Sequence, residues 1–171
     1  MHLVHRIALT GAPLAALAAG PAAAQSVELT ITVPRLTVAE YHRPYVAAYI
    51  EAPGKPAKTL AVWYDDDMKA NEGTKWLRDV RQWWRASGRT MNFPADGVSG
   101  ATRAPGTHKV VLTGGRGGLA GITPGQYTLV VEAAREAGGR EVVRLPFVWP
   151  PKPAAIKGTS ELGAVSIAPK R

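Results

Sequence analysis

Apolar and polar residues alternate along "VELTITV" (27–33): Val27, Leu29, Ile31 and Val33 share one parity, Glu28, Thr30 and Thr32 the other. A period of two over seven residues, stopped by Pro34, is the pattern of a half-buried β-strand. "YVAAYIE" (45–51) and "TLAVWYD" (59–65) are rich in β-forming apolar residues and flank the turn "PGKPAK" (53–58), a unit that reads as a β-hairpin. Further strands are expected over 109–113, 126–135, 140–149 and 161–167, with "EAGG" (136–139) joining the second and third of these. Seven or so short strands separated by Gly/Pro turns predict a mainly β chain, an antiparallel β-sandwich of immunoglobulin-like or similar form.

One segment has a different period. In "KWLRDVRQWWR" (75–85), Trp76, Leu77, Val80, Trp83 and Trp84 recur at helical spacing, and Lys75, Arg78, Arg81 and Arg85 take the other side. This predicts one short amphipathic helix, N-capped by Thr74 and ending before Gly88. The tryptophan stripe is expected to be mostly buried against the strands; its alternative use is a docking surface.

The N-terminal residues change the picture of compartment. A short basic start, the apolar run "IALTGAPLAALAAG" and small residues at Ala22 and Ala24 form the pattern of a secretory signal peptide over residues 1–24, cleaved before Gln25. Residues 25–171 then form a single domain expected in the periplasm. No later apolar stretch reaches the roughly 20 residues that cross a bilayer, so the mature chain is not expected to span a membrane. The chain has no cysteine, which excludes disulfides, Fe–S clusters and c-type haem attachment. The net charge of +8 falls by one when Arg6 is removed, and the basic residues are scattered rather than clustered. Nucleic acid is therefore not an expected partner.

Four stretches carry candidate chemistry. "GVSGA" comes within one residue of a nucleophile elbow, with His108 and Asp96 as possible triad partners, but it lacks the strand before and the helix after that an elbow needs. "GGRGGLA" (114–120) contains G-x-G-x-x-A, yet Pro124 and Gly125 prevent the helix that a dinucleotide site requires, and it reads as a hairpin loop. "DDDMKANEG" (65–73) departs from an EF-hand loop at Lys69 and reads as a solvated acidic turn. The fourth lies in a long Gly/Pro-rich loop, 87–106, of a length that is usually functional.

That loop holds "DGVSGAT" (96–102). It resembles the flavinylation motif D-x-x-[S/T]-G-A-T of the FMN-bearing subunits of the sodium-translocating NADH:quinone reductase and the Rnf complex. From average composition, its fixed positions match by chance in on the order of one chain in a few thousand of this length. The resemblance implies covalent FMN, its phosphate esterified to Thr102 by a periplasmic flavin transferase that uses Mg²⁺ and FAD. Asp96, Ser99, Gly100 and Ala101 are the corresponding recognition positions. The residues suit that chemistry: a hydroxyl on an exposed, flexible segment, small neighbours that allow a phosphate to approach, and Arg103 beside it to offset charge.

The mature chain also resembles a bacterial family of predicted periplasmic proteins of unknown function, domain-of-unknown-function family 2271, over "WLRDVRQWWR", "DGVSGATRAPG", "YTLVVEAAREAGGREVVRLPFVWP" and "ELGAVSI". Members of that family lie near PepSY-type membrane proteins and flavin transferases, which implies a PepSY-type redox partner. The chain departs from the quinone reductase subunits in lacking their transmembrane anchor and in its sandwich pattern. The expected function is a periplasmic carrier of covalent FMN in electron transfer, without a catalytic constellation or metal site of its own; the alternative is a flavin-free module that docks a membrane redox partner through its Trp-rich helix.

Overall fold

The computed structural model describes residues 26–170; the expected signal peptide and its cleavage before Gln25 lie outside the described residues. Among the described residues, nine strands form two sheets. β1 (Val27–Val33), β5 (Gly106–Leu112), β8 (Ala154–Lys157) and β9 (Ala164–Pro169) make a four-stranded antiparallel sheet in the order β5-β1-β9-β8. β2 (Tyr45–Ala52), β3 (Lys55–Tyr64), β4 (Ser99–Ala101), β6 (Gly125–Ala134) and β7 (Arg140–Trp149) make a five-stranded sheet in the order β4-β3-β2-β6-β7. The fold is the expected sandwich, with one departure from antiparallel pairing: β4 runs parallel to β3.

Both faces of the five-stranded sheet are covered along β2 and the second halves of β3 and β6. Val46, Ala48 and Ile50 of β2 join Leu29, Ile31, Leu129, Leu145 and Val165 in the core between the sheets. The opposite parity, Tyr45, Ala47 and Tyr49, joins Val62, Tyr64 and Val130 beneath Leu77, Val80 and Trp83. A strand buried on both faces must be apolar at every position, which is why "YVAAYI" shows no alternation while β1, with one covered face, does.

The helical layer is shorter and more broken than its periodicity predicts. Turns of 3-10 helix run from Lys69 to Asp79, and the α-helix α1 spans only Arg81–Ala86. The cause lies on β6. The carboxylate of Glu132, fully buried, accepts the backbone N–H groups of Gln82 (2.8 Å) and Trp83 (2.8 Å). Those donors would otherwise bond back to Arg78 and Asp79 and continue the helix. Glu132 thus caps α1 from a strand and breaks the segment at Val80.

That break also corrects the expected stripe. Leu77, Val80 and Trp83 are fully buried and Trp84 half-buried, but Trp76 is turned out and 50% exposed. Trp83 is locked further by its indole N–H, which donates to Thr59 Oγ1 at 3.0 Å.

Three further departures concern turns and short strands. The β2–β3 turn closes at Pro53 and Gly54, whose φ of 68° favours glycine, so β3 begins at Lys55 rather than after Lys58. "GGRGGLA" is not a hairpin loop, because β5 and β6 belong to different sheets and the segment crosses between them. β8 was not expected, and β9 starts at Ala164 because Glu161 and Leu162 lie in the preceding turn.

Candidate functional site

The parallel pairing of β4 decides where the motif leads. Each neighbouring pair among β3, β2, β6 and β7 is antiparallel, so the start of β2, the ends of β3 and β6 and the start of β7 meet at one end of the sheet. β4 pairs Ser99, Gly100 and Ala101 with Val62, Trp63 and Tyr64 in the same direction as β3. Its exit therefore reaches that same end, and Thr102 arrives beside Asp65. An antiparallel β4 would have delivered Thr102 to the opposite end.

A cleft of about 1110 Å³ opens there. Its lining comes from the approach to β2 (Tyr41, His42, Arg43), the exit of β3 (Asp65), the helical layer (Trp76, Arg81), the exit of β4 (Ala101, Thr102) and the β6–β7 hairpin (Arg135, Arg140). Gly73 lets the helical layer approach the floor, since a Cβ at that residue would collide with the Asp65 carbonyl oxygen. Tyr45 closes the same corner through a hydrogen bond from its hydroxyl to Gly73 O at 3.1 Å, and burial pushes its phenol up to about 12.

Thr102 is not the exposed, flexible hydroxyl that the loop composition suggests. It is 8% exposed, its N–H donates to Tyr64 O at 3.1 Å, and its hydroxyl donates to Asp65 Oδ1 at 3.1 Å. The small residues Ser99, Gly100 and Ala101 add three ladder positions to the edge of the sheet, and this pairing orders what reads as loop.

The other motif residues divide around it. Ala101 is exposed and lines the cleft with Thr102. Asp96 is exposed in the turn before β4, next to Gly97 with its φ of 67°. Ser99 Oγ accepts the Ala95 N–H at 2.9 Å, which ties that turn to the strand. Gly100 faces Trp63, and the Arg103 guanidinium lies over the Trp63 ring at 5.6 Å, outside the cleft lining. His108 bonds to Ala104 O at 2.8 Å and packs edge-on against Trp63, so it forms no triad with Ser99 and Asp96.

Several residues reach the cleft that motif reasoning did not select. Asp65, the first acid of the "DDD" run, is the partner of Thr102. Arg135 is committed to Glu161 through two hydrogen bonds of 3.0 and 3.1 Å, and Arg140 approaches Glu132 at 3.8 Å. Arg43 and Arg81 are exposed. The Tyr41 hydroxyl oxygen is buried with no hydrogen-bond partner among the described residues, and burial raises its pKa against the opposing charge of Arg135.

The model of a family described as "Predicted periplasmic protein (DUF2271)" matches residues 26–164. The chain belongs to this family. The matched region of this DUF2271 member takes in every strand from β1 to β8 and all of the cleft. Among the described residues, no helix is long and apolar enough to cross a membrane. Searches of curated proteins and of solved structures gave no match.

Proposed function

We propose that this protein carries FMN covalently on Thr102 and serves in extracytoplasmic electron transfer, receiving the flavin from a periplasmic flavin transferase and exchanging electrons with a PepSY-type membrane redox protein. The supporting observation is the position of the motif's last hydroxyl on the wall of a cleft whose volume of about 1110 Å³ suits a nucleotide-sized ligand. The exposed guanidiniums of Arg43 and Arg81, set among the carboxylates of Asp65, Asp66, Asp67 and Asp79 on the cleft lining, offer pairing to a phosphate.

In this reading Thr102 Oγ1 forms the ester to the flavin phosphate, AMP leaves from the FAD donor, and the hydroxyl proton passes to Asp65, which already accepts it. Asp96 and Ser99 present the turn to the transferase from the outer side of β4. The bound flavin would supply redox chemistry that the side chains lack, while the protein supplies position and electrostatics.

Purification after co-expression with a flavin transferase in the periplasm tests this. Flavin absorbance that stays with the chain through denaturation and desalting is expected. Its absence despite an active transferase would favour the flavin-free docking module, for which exposed Trp76, Arg78 and Arg85 offer a surface.

A further inference from the structure

The five tryptophans occupy very different surroundings. Trp63, Trp83 and Trp149 are buried at 3%, 0% and 7% exposure, and Trp84 is half-buried with its ring 6.1 Å from that of Trp83. Trp76 alone among the described tryptophans is 50% exposed, and it lines the same cleft as Thr102. Met68, 43% exposed, lines that cleft as well. The apolar residues that follow Trp76 in this segment do not share its exposure: Leu77 and Val80 are fully buried.

The 3-10 winding of Lys69–Asp79 accounts for this: Leu77 and Val80, three residues apart, share the inward face and Trp76 falls outside it. In an uninterrupted helix, Trp76 would lie on one stripe with Val80 and Trp83 and be buried with them. Leaving so large an aromatic surface half in water forgoes burial energy at roughly 25 cal/mol per Å². Indole faces stack on planar π-systems, and Trp76 lines the cleft into which the exit of β4 brings Thr102.

We propose that Trp76 is the stacking platform for the isoalloxazine ring of a flavin attached at Thr102. This rests on the covalent-flavin reading. Trp76 is a positioning residue for the ring and takes no part in forming the ester.

The test uses the mature chain loaded with flavin, its loading set by intact mass, and reads flavin fluorescence. An indole stacked on the ring quenches flavin emission by electron transfer, so the loaded wild type should be dim. Trp76→Leu should carry the same added mass and emit severalfold more, Trp76→Phe should fall between, and Trp84→Leu should resemble wild type. Equal emission from loaded Trp76→Leu and wild type would overturn the stacking proposal while leaving the attachment intact. A wild type with no added mass would instead remove the attachment, and the stacking proposal with it.

Discussion

The Thr102 hydroxyl donates to the Asp65 carboxylate across 3.1 Å, joining the exit of β4 to the exit of β3. The bond orients the hydroxyl and provides an acceptor for its proton. A hydrogen bond to a charged group is worth about 1.5–3 kcal/mol, or about 10–150-fold in rate if it is fully expressed in the transition state. Asp65→Ala should slow flavin attachment by that factor, and Asp65→Asn, which keeps an acceptor oxygen, by less. A time course of intact mass with transferase and FAD measures both; an unchanged rate in Asp65→Ala would make the bond purely structural.

Glu132 should prove essential to the helical layer. Glu132→Ala leaves the N–H groups of Gln82 and Trp83 without that acceptor, and the buried Trp83 donor alone costs about 1–3 kcal/mol. Glu132→Gln keeps one acceptor oxygen and should cost less. Urea denaturation followed by tryptophan fluorescence measures the difference, and equal stability of all three proteins would contradict the cap.

Strand positions with one covered face were legible from the chain, as in Val27–Val33, because alternation reports one buried side directly. The turn chemistry at Gly54 and at "EAGG" also placed two hairpins. The break at Val80 was not legible, since it depends on a carboxylate fifty residues away. The burial of Thr102 was hidden for a similar reason: the order of "SGA" comes from pairing with β3 rather than from its own composition, and so does the meeting of Thr102 with Asp65. Local pattern identified the acceptor motif but not the cleft that it enters.

Glu141 should make stability fall in acid. Burial by itself would raise its carboxyl, but the N–H groups of Thr159, Leu162 and Ser160 and the Thr159 hydroxyl outweigh that effect and hold it at about 2, against an ordinary 4.5. The native state thus keeps this carboxylate ionised where the unfolded chain protonates it. Its contribution is present in full above about pH 4.5 and is lost as pH falls toward 2. Glu141→Gln should flatten the stability profile across that window in denaturation measured at several pH values. An unchanged acid limb would assign it to other carboxylates.

The central claim is that Thr102 carries the flavin. Thr102→Ala should cost about 1.5–3 kcal/mol of stability, because the lost hydroxyl is buried and bonded to the Asp65 carboxylate, and it should still fold. Intact mass of the wild type and Thr102→Ala, each purified from a periplasm with an active flavin transferase, is the most direct test. The wild type should gain the mass of FMN less one water, and Thr102→Ala should gain nothing. The same gain on Thr102→Ala, or none on the wild type, would contradict the account.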